Sequence, residues 1–373
     1  MKVLINAGPW LPVPPLGYGG IENIVATLIP ELRRLGVQVV LASVGDSTLA
    51  ADERISLYPT GQFAALQRPY NQVCGVVPAH QNAVVRRIAQ GDIDLVHDHV
   101  EAAGLATLAA LGPYSPPGLQ TLHWDLQKHP DLYGTFDGRG RVYVNGVSAD
   151  QLSHAPAALR AHSVGHVHLA TPLAAAPQRT VEKHGRVVVL GRITPGKGQD
   201  LAARLAHSAG FDLVLAGPVG PYHQAAQLAD ADPQNPDVRF WREQVAPHVD
   251  GDRVRWIGTV TGQDRDDLVA GASAALFPLR WNEPGGTAVV ESLALGTPVV
   301  GIARGCLPEL IDQGRTGLLT SDEDELGELV RAAAAIDPGE CRAEAVRRFS
   351  PAVMASSYLE LYERVRSAAA ALV

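Results

Sequence analysis

Short runs of aliphatic and β-branched residues alternate with helical stripes along this chain, and the whole alternation occurs twice. Residues 3–5, 37–42, 93–96, 119–122 and 142–147 form the first set of runs. A strand wet on one face alternates apolar and polar, whereas an unbroken apolar run reads as a strand covered on both faces. Between the first two runs, Ile21, Ile24, Val25, Leu28, Leu32 and Leu35 recur at helical spacing, and Gly36 stops the helix. Pro30 lies inside that stripe, where a ring lacking an N–H predicts a kink. The pattern restarts near Arg186 with runs at 187–190, 213–216, 254–257, 274–277 and 298–301. Two successive β-α-β series predict an α/β chain of two Rossmann-like, doubly wound parallel-sheet domains. The expected division is 1–170 and 171–350, with a stretch at 170–183 carrying Pro172 and Pro177 as linker. A closing helix from Pro351 to about Leu372 presents Val353, Leu359, Leu361, Tyr362 and Val365.

A length of 373 residues suits two domains, each able to bury its own core. The net charge of -8, with no run of Lys/Arg longer than two, excludes nucleic acid as the main partner. It does not exclude a phosphate ligand, which needs only a few well-placed cations. Cys74, Cys306 and Cys341 have neither zinc spacing nor a disulfide pattern, so they read as buried free thiols in a reducing cytoplasm. MKVLINAG reads as a first strand rather than a signal peptide. No apolar run approaches the ~20 residues of a membrane span. Richness in Ala, Gly, Pro and Arg resembles a bacterial chain of high GC content.

Four segments carry chemistry. Gly17-Tyr18-Gly19-Gly20-Ile21-Glu22 follows the first strand and opens a helix, where bare amides at a positive dipole end suit an anion or an ordinary turn. Its spacing is not that of a dinucleotide fingerprint. Residues 191–198 follow the strand at 187–190 and hold Arg192 and Lys197 among three glycines, a planar fork and a point charge fit for a diphosphate. In residues 281–291, Glu283 lies in a loop, Gly285, Gly286 and Thr287 start a helix whose first amides can bind phosphate, and Glu291 lies deeper. Acids near a helix start can merely complement its dipole, but Glu291 sits in an apolar stretch where a carboxylate needs a partner. Finally, His97-Asp98-His99 and His123-Trp124-Asp125 each follow a strand. Packing at the strand end accounts for His97 and His99, while His123 is the better functional candidate. Asp92-Ile93-Asp94 precedes its strand, the wrong end for a metal site, and no metal is expected.

Together these segments resemble the retaining GT-B glycosyltransferases of family 4. The hallmarks are Gly19-Gly20, Gly191-Arg192 through Lys197, and Glu283 with Glu291, seven residues lying between the two glutamates. Gly296-Thr297-Pro298, Gly305, Pro308-Glu309 and the helix with Tyr358 and Tyr362 agree, so the likeness spans nearly the whole chain. Within the family the chain looks nearest to small-molecule antibiotic-pathway members such as the avilamycin enzyme. The resemblance implies two Rossmann-like domains facing a central cleft, the first taking the acceptor and the second the donor, with the last helix returning to the first domain. It implies that Arg192 and Lys197 bind the donor diphosphate and that the amides of Gly286 and Thr287, beside Gly285, bind its distal phosphate. Glu291 would hold the ribose, Glu283 the sugar hydroxyls, His123 would lie beside the sugar, and Gly19 and Gly20 would close over the diphosphate. Gly285 stands where the family commonly has an aromatic, which leaves the sugar open. Leu169-Ala170-Thr171-Pro172-Leu173 replaces the usual linker motif.

The implied reaction is retaining, metal-independent transfer of a hexose from a UDP-sugar such as UDP-glucose, or a GDP-sugar, to a small soluble or glycan acceptor, with no cofactor. Retention follows either from attack on the face the diphosphate leaves or from a covalent sugar on a carboxylate such as Glu283. The alternatives are a sugar phosphorylase or nucleotide-sugar epimerase on the same fold, or a non-catalytic nucleotide-sugar binder. The acceptor is expected near residues 46–77 and 124–141 of the first domain, in a natural-product or glycan pathway.

Overall fold

The computed structural model describes residues 1–17, 19–178 and 181–371, leaving out the side chain of Tyr114. Tyr18 of the first glycine motif, Arg179 and Thr180 of the expected linker, and Leu372 at the expected helix end lie outside the described residues. The chain divides into two units, Met1–Ala170 with Pro351–Val373, and Thr171–Ser350.

The first unit is built on a seven-stranded parallel sheet: β1 (Lys2–Asn6), β2 (Gln38–Ser43), β3 (Glu53–Ser56), β4 (Leu95–Asp98), β5 (Gly118–Thr121), β6 (Val142–Gly146) and β7 (Ser163–His166), in the order β3-β2-β1-β4-β5-β6-β7. Successive side chains of a strand point to opposite faces, so β1 serves two cores at once. Val3 and Ile5 join Val39, Leu41 and the helix Gly20–Arg34 on one face. Leu4 joins Val40, Val96, Val84 and Leu105 on the other. Ile24, Val25, Leu28, Ile29 and Leu32 are the buried stripe of that helix, each worth about 1.5–3 kcal/mol when removed from water. The helix runs on through Pro30 to Arg34. Pro30 is exposed, so the carbonyl of Ala26 that loses its N–H partner lies on the side open to water. The last helix, Pro351–Ala370, lays Met354, Ala355, Tyr358, Leu361, Tyr362 and Val365 on the same core. Asp92 pairs with Lys2 at 2.6 Å and Arg87 at 2.5 Å at the amino end of β4, a structural role.

The second unit has β8 (Val187–Leu190), β9 (Leu213–Ala216), β10 (Val254–Trp256), β11 (Ala274–Phe277), β12 (Val299–Ile302) and β13 (Gly317–Thr320), all parallel, in the order β10-β9-β8-β11-β12-β13. The expected linker is not free chain over its described part. Thr171–Ala174 packs into the second unit, where Ala174 is buried and Arg342 donates to the carbonyls of Leu173, Ala294 and Ala176. Lys183 Nζ donates to the carbonyl of Ala272 at 2.9 Å. A run of proline and small residues mimics a linker, but these residues carry apolar surface and carbonyls that the second unit satisfies.

Candidate active site

In the second unit, β8 and β11 are neighbours, and the chain leaves β8 towards β9 and β11 towards β12. The carboxyl ends of such a pair form the topological switch point, where open α/β sheets bind ligands. The loop after β8 is 191–198 and the loop after β11 leads into 281–291, so two motifs some ninety residues apart in sequence meet here. The amide of Arg280 donates to the carbonyl of Gly196 at 2.9 Å. Lys197 Nζ donates to the Glu283 carboxylate and lies 5.2 Å from the Trp281 ring centroid, within cation–π range. Buried Gln199 shapes the first loop, donating to the Arg192 carbonyl at 2.8 Å. Arg280 bonds both carboxylate oxygens of Asp200 at 2.9 Å, tying the second loop to the helix Gln199–Ala209. Arg192 is exposed, and its guanidinium has no ion pair among the described residues.

Gly286 precedes the helix Thr287–Ala294 with φ 61°, and a Cβ there would come within 2.8 Å of Leu310 and 2.9 Å of Cys306. Only glycine meets both conditions cheaply. The amides of Gly286 and Thr287 make no bond among the described residues, as expected for the first turn of a helix, and are available to an anion. Glu283 is held from behind: its carbonyl accepts from Cys306 N at 2.9 Å, and any Cβ on Gly305 would overlap its backbone. Glu291 has found its partner in Arg265, whose Nη1 lies 3.2 Å from its carboxylate. Burial raises the Glu291 pKa, and Arg265 opposes the rise. Arg265, on the helix Gly262–Ala270, was not legible as a site residue, because nothing local separates it from its charged neighbours.

In the first unit the equivalent switch point lies between β1 and β4. Gly19 and Gly20 start the helix after β1, with Asn23 N donating to Gly19 O at 3.0 Å. His97 is fully buried, its Nδ1 2.7 Å from Tyr362 Oη and its Nε2 2.8 Å from Thr121 Oγ1. Burial pushes its pKa down to about 3, so it is neutral. This is the strand-end packing role expected for it. His99 Nδ1 lies 2.9 Å from His123 Nε2, and burial lowers both pKa values, that of His123 to about 4. His99 therefore fixes the ring of His123, a link that needs the pairing of β4 with β5 to appear.

Glu101 fixes the backbone of the same loop. Its Oε1 accepts from His123 N at 2.6 Å and Trp124 N at 2.9 Å, while Oε2 is buried without a partner among the described residues. Burial raises its pKa to about 8 against the two amide bonds that lower it. A raised folded-state pKa contributes stability that is complete below about 4.5 and lost as pH rises towards about 8. Glu101→Gln keeps the acceptor and removes the ionisation. The variant should gain stability relative to the parent between pH 5 and pH 8, by up to about 1.4 kcal/mol per pH unit. Urea midpoints at the two pH values check this, and a difference independent of pH refutes it.

A doubly wound sheet in each unit, with two cations and a free helix start gathered at the switch point of the second, is the architecture of the GT-B transferases that act on nucleotide sugars. The family model described as "Glycosyl transferases group 1" matches residues 174–344, and that described as "Glycosyltransferase Family 4" matches residues 18–159. The chain belongs to this family, and it is a glycosyltransferase. It is 25% identical to a phosphatidyl-myo-inositol mannosyltransferase of Mycobacterium leprae over 93% of both chains. A D-inositol 3-phosphate glycosyltransferase of Corynebacterium efficiens is 26% identical over 93% of this chain and 81% of the relative. The crystal structure of AviGT4, a glycosyltransferase involved in avilamycin A biosynthesis, superposes with a TM-score of 0.68 at 26% identity, covering 98% of each chain. No helix of the described residues is long and apolar enough to cross a membrane.

Proposed function

We propose that this glycosyltransferase moves a hexose from a nucleotide-sugar donor, a UDP-sugar before a GDP-sugar, to a hydroxyl of a small polar acceptor with retention of anomeric configuration. The observation that carries the reading is the convergence of Arg192, Lys197, Glu283 and the open helix start at Gly286-Thr287 on one switch point. Breaking the bond between anomeric carbon and phosphate builds negative charge on the leaving diphosphate. Arg192, Lys197 and two amides act where that charge grows, without a metal. Lys197 leaves Glu283 for the diphosphate, which frees Glu283 for the sugar hydroxyls. Glu291 binds the ribose and His123 meets the hexose. Gly19 and Gly20 offer further amides to the diphosphate, and Gly285 leaves space beside the sugar.

Relatives named for phosphatidyl-myo-inositol and D-inositol 3-phosphate put inositol phosphates first among acceptors to try. Attack from the face the diphosphate leaves, with a diphosphate oxygen taking the proton, fits a site in which Glu283 is engaged by the sugar hydroxyls and the growing charge on the diphosphate is met by Lys197. Thermal unfolding with UDP, GDP and their glucose and mannose derivatives tests the donor. A ligand at 100 times its Kd stabilises the folded state by about 2.7 kcal/mol, so the preferred nucleotide should raise Tm by several degrees. No shift with any of them overturns the reading.

A further inference from the structure

We propose that Trp124 and Lys128 form the acceptor subsite, with the indole as platform for a cyclic polyol and the ammonium beside it for an anionic substituent such as a phosphate. The inference rests on the transfer reading above and names the class of acceptor. Of the five tryptophans, Trp241 is buried, Trp10, Trp256 and Trp281 are half-buried, and Trp124 alone is exposed, at 41%. An isolated exposed aromatic needs no explanation by itself. Here the backbone beneath it is held on both sides by buried groups. Trp124 N donates to Glu101 at 2.9 Å, and Gln151 Nε2 donates to Trp124 O at 2.8 Å and to Leu122 O at 3.0 Å. Glu101 and Gln151 are 3% and 4% exposed. Two buried polar side chains are thus committed to a loop that offers its largest side chain to water.

The next residue back is His123, so the platform adjoins the histidine assigned to the transferred sugar. An indole held this way gives a broad apolar contact at low entropic cost, and its N–H can donate to a hydroxyl. The C–H face of a pyranose or cyclitol matches it, leaving the ring hydroxyls at the edge. Lys128 Nζ lies 6.0 Å from the ring centroid, a cation on a flexible stem within reach of an anionic substituent, and the His129 ring is 5.9 Å from the indole.

The test uses the full chain, the donor chosen by thermal shift, and two acceptor probes, myo-inositol and D-inositol 3-phosphate. Trp124→Ala should raise the acceptor KM at least tenfold and leave the donor KM within twofold, while Trp124→Phe recovers most of the loss. Lys128→Ala should raise KM for the phosphorylated probe at least fivefold and leave that for myo-inositol unchanged. In the parent protein, acceptor binding should quench tryptophan fluorescence, and the quench should vanish in Trp124→Ala. Equal acceptor KM in Trp124→Ala, or no quench with either probe, overturns the subsite. Thermal stabilisation by the donor is followed in parallel in the parent. Its absence defeats the transfer reading itself, whereas its presence beside an unquenched Trp124 defeats only the platform.

Discussion

Replacing Lys197 by alanine lowers kcat by roughly 10²–10³-fold, about 2.7–4 kcal/mol, the loss expected for one charge-stabilising donor in a transition state. Lys197 sits in the loop after β8, set against Trp281 and Glu283 on the loop after β11. In the free enzyme the pair is partly exposed, with 27% of the lysine side chain and 17% of the glutamate accessible, and such a pair contributes at most about 1 kcal/mol to stability. The fold should therefore hold, with Tm within about 4 °C of the parent. Because diphosphate charge is larger at the transition state than in the bound donor, the loss falls on kcat more than on KM. Lys197→Arg keeps the charge but brings a planar fork to a position reached by a point charge, so it restores only part of the rate. Turnover near that of the parent in Lys197→Ala, in a steady-state assay with circular dichroism as the folding control, removes Lys197 from the diphosphate.

The same segments show how far the sequence carries. Residues 187–190, 213–216 and 274–277 are strands with the expected bounds, because each lies inside the sheet, covered on both faces, and reads as an unbroken apolar run. The strands not expected are β3, β7 and β13, all at sheet edges. Glu53–Ser56 and Ser163–His166 carry one strongly apolar residue each, and Gly317–Thr320 two, too little for periodicity to register. Pro30 does not end the helix it lies in, since it sits on the exposed side, where the carbonyl it leaves unpaired can be met by water. At the site, Arg192, Lys197, Glu283, Gly286 and Glu291 are legible because glycine-rich loops after strands declare themselves locally. Arg265, Glu101 and His99 are not, because each acts through a partner that only the sheet order brings near. Even the pairing of Lys197 with Glu283, two residues singled out separately, exists only once β8 and β11 are side by side.

Glu291→Ala weakens nucleotide-sugar binding by about 2–3 kcal/mol, roughly 30- to 150-fold in Kd, the worth of hydrogen bonds from neutral hydroxyls to a carboxylate. The residue lies on the helix Thr287–Ala294, a turn beyond the amides of Gly286 and Thr287. Its present bond to Arg265 offers a second account, in which Glu291 only braces the helix Gly262–Ala270. The two accounts diverge with the ligand. If Glu291 accepts from the ribose, a 2′-deoxy nucleotide already lacks one of the bonds, and the substitution costs it less than it costs the parent nucleotide. The coupling should be about 1 kcal/mol or more in a cycle over Glu291→Ala and the 2′-deoxy ligand. If Glu291 only braces Arg265, both ligands weaken equally and the cycle closes at zero. Arg265→Ala supplies the matching control. It leaves the half-buried Glu291 without its cation and raises its pKa further, so donor affinity in that variant should recover as pH rises, a dependence that Glu291→Ala cannot show. Calorimetric titration of the two ligands into the three proteins at pH 6 and pH 8 measures every one of these differences. Equal losses for both ligands place the ribose elsewhere in the second unit.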